Sequence, residues 1–132
     1  NFKDYLDQII KHISSSYSSI KNVRIEKEIK DVNIDISTAV SLALIVNELI
    51  TNAYKHAFNM IKEGVVEISL FENNKQVFLT IKDNGSGFDK TVVSKNSIGM
   101  DILNGLVEQI SGTYQLTSNE KGTLYKISFS KK

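Results

Sequence analysis

Hydrophobic positions along the chain repeat with two periods, and the places where the period changes mark its elements. Phe2, Tyr5, Leu6, Ile9, Ile10, Ile13, Tyr17 and Ile20 recur at spacings of three and four, which predicts an amphipathic helix over residues 2–20. Val23, Ile25 and Ile29 lie in a polar, alternating stretch that reads as a strand. Helical spacing returns with Ala39, Leu42, Ala43, Val46, Leu49, Ile50, Ala53 and Ala57, so a second helix is expected to about Phe58, with Asp35 or Ser37 as its cap. Alternation resumes in Val66, Ile68 and Leu70 and again in Val77, Leu79 and Ile81, two strands with Asn73-Asn74 as their turn. Residues 84–97 have no period and are rich in Gly, Ser, Lys and Asn, as a loop would be. Gly99, Leu103, Leu106, Val107 and Ile110 then share one face of a helix over 98–111 that Gly112 is placed to end. Strands 113–118 and 123–129 close the chain around Asn119-Glu120-Lys121-Gly122.

This order of elements predicts an α/β (α+β) two-layer sandwich, with three helices on one face of a mixed β-sheet. A chain of 132 residues is one domain by length, expected to span 1–132, with no proline and no repeat to mark a linker. A net charge of +1 argues against a broad nucleic-acid surface, so no nucleic-acid partner is expected. Cysteine is absent, which removes disulfides and thiolate metal sites and fits a reducing, cytoplasmic setting. No apolar run is long enough to span a bilayer and no signal peptide opens the chain, so direct membrane contact is not expected. The chain starts at Asn1, as a domain excised from a longer protein would.

Three polar segments interrupt this apolar scheme. Within the second helix, Glu48, Asn52, Lys55 and His56 stand at i, i+4, i+7 and i+8 and share a face. A solvated face accounts for most of them but not for Asn52, because Asn is a mediocre helix former unless its amide is used. An amide oxygen suits Mg²⁺, whose other ligands are usually waters and phosphate oxygens, and Lys55 can approach phosphates as a point charge. Asp83-Asn84-Gly85-Ser86-Gly87 follows a strand. A hairpin turn would look similar, yet a second glycine follows and the strand does not resume. A carboxylate there can accept from an exocyclic amine, and glycines let backbone approach a flat base. Ser97-Ile98-Gly99-Met100 opens the third helix, whose free N–H groups suit phosphate; a Ser cap with a packing Gly would read the same way.

In this order the segments resemble the N box, G1 box and G2 box of the histidine-kinase-like ATPase family, which includes sensor kinases, gyrase, Hsp90 and MutL. The resemblance covers roughly residues 1–130 and implies the Bergerat ATP-binding fold with ATP and Mg²⁺ as ligands. It makes Asn52 the metal ligand and Asp83 the acceptor of the adenine amine, with Gly85 and Gly87 lining the purine pocket. It also assigns Ser97, Gly99 and Met100 to the phosphate end, His56 to the rim, and Gly122-Thr123 to a fourth element that doubles as a turn. Glu48 and Lys55 become the catalytic candidates. Many sensor kinases carry Asn where Glu48 stands, and hydrolytic members use a Glu there to activate water, so this position leaves kinase and hydrolase open. The run Asn52-Ala53-Tyr54-Lys55-His56 favours the sensor kinase, and Ser97 replaces the first glycine of the usual G2 pair.

The function implied is the catalytic domain of a sensor histidine kinase. It would present the γ-phosphate of Mg·ATP to a histidine on a separate phosphoacceptor domain, with a response regulator downstream. His12 lies off the apolar stripe of the first helix and reads as a surface residue, so the acceptor is expected outside this chain. The fragment is then expected to be monomeric and its parent dimeric. An anti-sigma-type serine kinase, a hydrolytic ATPase, a nucleotide-dependent binding module and an α/β domain without nucleotide are the alternatives.

Overall fold

The structure, a computed structural model, describes residues 2–17, 23–54, 64–85, 98–119 and 121–131, and for 98–100 the backbone alone. Helices α1 (Phe2–Tyr17), α2 (Ile36–Asn52) and α3 (Ile98–Gln109) join strands β1 (Val23–Ile29), β2 (Gly64–Asn73), β3 (Gln76–Asp83), β4 (Thr113–Asn119) and β5 (Gly122–Ser130). The sheet runs β1-β2-β3-β5-β4, with β1 parallel to β2 and all other pairs antiparallel. This is the mixed sheet of the expected α/β sandwich. Alternation decides its inner face: Val66, Ile68, Leu70, Leu79, Ile81 and Ile127 are buried, whereas Glu67, Lys82 and Lys126 on the other face are exposed. α2 is the central helix, packed against α1, α3 and β3.

Local chemistry sets the ends of the elements. Asp35, not Ser37, caps α2: its carboxylate accepts from the Thr38 N–H at 3.0 Å. The α-helical part of α2 stops at Asn52, and Ala53-Tyr54 continue as a wider π turn with Tyr54 buried. The expected extension to Phe58 lies outside the described residues, as does 18–20 of the first helix. The β2–β3 turn is Asn74-Lys75, one residue later than expected. Both adopt positive φ (53° and 65°), which matches strand twist in a two-residue hairpin and pairs Asn73 with Gln76.

At the end of α3 the left-handed residue is Ser111 (φ 55°), not Gly112. The Ser111 N–H donates to Glu108 O and the Gly112 N–H to Val107 O, each at 2.9 Å, the paired bonds of a Schellman motif. Gly112 is needed for space, since a Cβ there would lie 2.8 Å from Ser128 O. Tyr5, assigned to the buried stripe of α1, is 47% exposed, and Ile45 joins the α2 core that the spacing omitted.

Candidate functional site

Strand register assembles the site. Three rungs cross the inner face: Leu70, Leu79, Ile127 and Tyr114 in one; Ile68, Ile81, Tyr125 and Leu116 in the next; Val66, Asp83, Thr123 and Ser118 in the last. The first two are apolar apart from tyrosine hydroxyls, and the last turns polar at Asp83. Asp83 and Thr123 are both buried, at 6% and 3% exposure, although 40 residues separate them in the chain.

The Asp83 carboxylate is held by its own turn and by β5. Its Oδ1 accepts from the Gly85 N–H at 2.9 Å and from the Thr123 N–H at 3.3 Å. Asn84 ties the same turn to β2: its Oδ1 accepts from the Val65 N–H at 2.8 Å, and its N–H donates to Val65 O at 3.2 Å. Among the described residues both donors go to Oδ1, which leaves Oδ2 for a ligand. Burial disfavours the charged carboxylate and raises the pKa of Asp83, and the Gly85 and Thr123 N–H groups oppose that rise. Thr123 Oγ1 and Ser118 Oγ lie 3.0 Å apart in a hydrogen bond of their own.

Gly122 makes this geometry possible. Its φ is +139°, and a Cβ there would lie 2.0 Å from Asp83 O. The sequence marks Gly122 only as part of a turn; its contact with a strand far upstream appears once β3 and β5 are paired.

On α2, Glu48 and Asn52 are half-buried and one helical turn apart, as expected. The Ser41 hydroxyl, early in α2, donates to Gln109 Oε1 at the last residue of α3 over 3.2 Å. The two helices pack side by side, so α3 starts toward the end of α2 that holds Glu48 and Asn52. Tyr125 links α2 to Asp83. Burial first, and then the charges of Asp83, Tyr114 and Glu48, push its phenol up to about 12. The structure thus brings Glu48, Asn52, Asp83, Gly85 and Thr123 to one end of the sheet. Lys55, His56, Gly87 and Ser97 lie outside the described residues, and Gly99 and Met100 contribute described backbone in the first turn of α3. Tyr125 is the residue that spacing did not single out: an alternating strand position reads as core whatever its polar tip.

Among the described residues no cluster of three or more His, Cys, Asp or Glu can hold a metal. No helix among the described residues is long and apolar enough to cross a membrane.

Residues 37–132 match the family described as histidine kinase-, DNA gyrase B- and HSP90-like ATPase. The blue-light-activated histidine kinase 2 of Erythrobacter litoralis is 28% identical over 108 residues, 80% of this chain and 31% of that protein. The sensor histidine kinase YdfH of Bacillus subtilis is 34% identical over 98 residues, 71% of this chain and 23% of its own length. The chain therefore spans less than a third of either relative. Among solved structures, the histidine kinase domain of the Erythrobacter litoralis EL346 blue-light activated kinase superposes with a TM-score of 0.89 at 24% identity, over 98% of this chain and 60% of that one. The mycobacterial sensor histidine kinase MprB gives 0.77 at 16% identity over 98% and 95%. At these identities the superpositions establish the fold.

Proposed function

The chain belongs to the histidine kinase-, DNA gyrase B- and HSP90-like ATPase family, as a catalytic ATP-binding domain of the sensor histidine kinase type, and from that premise we propose that it binds Mg·ATP and delivers the γ-phosphate to a histidine on a separate domain. The observation that carries the proposal is the buried Asp83 carboxylate, tied through Oδ1 and open at Oδ2. A buried acceptor of this kind matches the amine of adenine, where guanine offers a carbonyl. Gly85 and Gly87 would flank the base, and Thr123 would steady Asp83 from β5.

Asn52 would hold Mg²⁺, and the metal would neutralise charge on the phosphates. Lys55 and the N-terminal turn of α3, with Ser97, Gly99 and Met100, would meet phosphate oxygens, and His56 would stand at the rim. In transfer, the bond from the γ-phosphorus to the bridging oxygen of ADP breaks, a bond to the imidazole nitrogen forms, and the imidazole proton is released. The chain's contribution is placement and charge. Glu48 favours one other reading: a carboxylate a turn before Asn52 can take a proton from water instead, as in a hydrolase. The phosphoacceptor domain, a response regulator and dimerisation of a cytoplasmic or membrane-anchored parent belong to this proposal, as does the reading of 1–132 as a single domain of that parent.

Calorimetric titration with ATP and GTP, with and without Mg²⁺, tests binding. Transfer is tested by adding a histidine-bearing dimerisation domain and following phosphohistidine. Slow ATP turnover alone, with transfer on addition of the acceptor, is expected. Brisk magnesium-dependent hydrolysis that collapses in Glu48→Gln would move the chain to the hydrolytic side of the family.

A further inference from the structure

Tyr125 stands one rung in from the Asp83–Thr123 pair, on the same inner face, because Thr123 and Tyr125 are alternate residues of β5. Its side chain is 6% exposed. Buried tyrosines normally use their hydroxyls, as an unmatched polar group in a core costs stability. Among the described residues the Tyr125 hydroxyl makes no hydrogen bond, whereas every fully enclosed side-chain nitrogen and oxygen there has a partner. The two facts are reconciled if the ring is buried and the hydroxyl reaches an opening. The charges that act on it are those of Asp83 on β3, Tyr114 on β4 and Glu48 on α2. Register sets Tyr125 next to the last rung, on the face that carries Asp83 and Thr123. With its ionisation pushed up to about 12, the phenol keeps its proton at neutral pH and is a donor.

Among the described residues the donors bonded to Asp83, and the hydroxyls beside it, are already engaged. The Gly85 and Thr123 N–H groups both point at Oδ1, and the Thr123 and Ser118 hydroxyls bond to each other. An aminopurine edge presents a donor, its amine, beside an acceptor, the ring nitrogen next to it. Asp83 supplies the matching acceptor. We propose that Tyr125 supplies the matching donor, its hydroxyl bonding, directly or across one water, to the ring nitrogen beside the amine, and so acts as a specificity residue of the base site. This inference rests on the adenine reading of Asp83 and adds to it the second half of the recognition. The pair Asp83 and Tyr125 then reads both groups of the adenine edge, and guanine mismatches at Asp83, where its carbonyl faces the carboxylate.

The test is a cycle of two proteins and two ligands, measured by calorimetry: the chain and its Tyr125→Phe variant, each with ADP and with 1-deaza-ADP, in which a C–H replaces that nitrogen. Tyr125→Phe keeps the ring and removes only the hydroxyl. Loss of one net hydrogen bond predicts about three- to tenfold weaker ADP binding. The analogue, which has no acceptor to lose, should bind both proteins equally. Equal weakening toward both ligands would make Tyr125 a packing residue, and unchanged ADP binding would remove it from the site; either result overturns the proposal. Asp83→Asn with ADP and GDP separates the two levels. If Asp83→Asn loses ADP while Tyr125→Phe does not, the adenine site stands and only the tyrosine assignment falls. If the chain shows no preference for ADP over GDP and Asp83→Asn is silent, both fall together.

Discussion

The two ends of the sheet are built from similar polar residues and differ in what those residues have left to offer. At the far end, where β5 finishes, a cavity of about 520 Å³ is lined by residues including Asn33, Thr38, Gln109, Phe129 and Lys131. Its polar side chains are exposed or half-exposed, and several are matched within the chain. Asp35 caps α2, Ser41 meets Gln109, Ser130 donates to Gln76 at 2.9 Å, and Lys131 pairs with Glu72 at 3.0 Å. At the near end, where β5 begins, the Asp83 Oδ2 and the Tyr125 hydroxyl have no partner among the described residues. What marks the near end is unused hydrogen-bonding capacity on two residues that are otherwise buried, which a ligand reaching their open atoms can use.

The comparison breaks most severely if the floor of the near end is not as tight as it stands. Gly122→Ala puts a Cβ 2.0 Å from Asp83 O at a φ of +139°. Backbone strain and overpacking together should cost about 3 kcal/mol or more. Urea unfolding measures this, and a loss below about 1 kcal/mol would mean that β3 and β5 can part without consequence. Asp83→Asn comes next. Losing a charge-assisted bond should weaken ATP by about 1.5–3 kcal/mol while GTP changes little.

The same substitution sharpens the contrast through pH. Burial holds the folded pKa of Asp83 above its ordinary 3.8, so ionisation opposes folding. The penalty is absent below 3.8, where both states are protonated, and complete once pH exceeds the raised folded value. Asp83→Asn is therefore expected to be no less stable than the parent at pH 7, with the parent gaining on it as pH falls through the carboxylate range. A variant that is clearly less stable at pH 7 would show that Asp83 serves the fold and not a ligand.

Smaller effects follow. Asn52→Ala should leave stability nearly unchanged and bring the magnesium-dependent gain in nucleotide affinity, on the order of tenfold for typical coupled ligands, close to one. Titrating Mg²⁺ against nucleotide affinity measures it, and an unfolded variant would make Asn52 structural. Lys131→Met at the far end should cost about 1 kcal/mol or less, since its partner is partly exposed, and leave nucleotide binding untouched. A change in ATP affinity there would erase the distinction between the two ends.

Much of this was legible in the residues themselves, because the signals are local. Helical period placed Leu42, Val46, Leu49 and Ile50 in the core and left out Ile36, Val40 and Leu44, which are exposed. Alternation placed all five strands, and a carboxylate followed by two glycines at the end of one of them pointed to Asp83. Where local signals compete, position slipped. Asn73-Asn74 and Asn74-Lys75 are both acceptable turn pairs, and only the pairing of β2 with β3 chooses the second. Gly112 looks like a helix-ending glycine, but Ser111 takes the left-handed turn because Gly112 is needed where Ser128 comes close.

By itself, then, the sequence determined the period of each element, the inward face of each strand and the residue types able to meet a base, a metal and phosphates. These depend on neighbours within a few residues, where backbone geometry is repetitive. The tertiary structure alone decided which of them meet. Register between β3 and β5 delivers the Thr123 N–H to Asp83 across 40 residues and forces glycine at 122. The same register sets Tyr125, one more apolar beat in an alternating strand, one rung from the carboxylate. Pairing between distant strands follows from the packing of the whole sheet against its helices, and no short stretch of the chain carries that information.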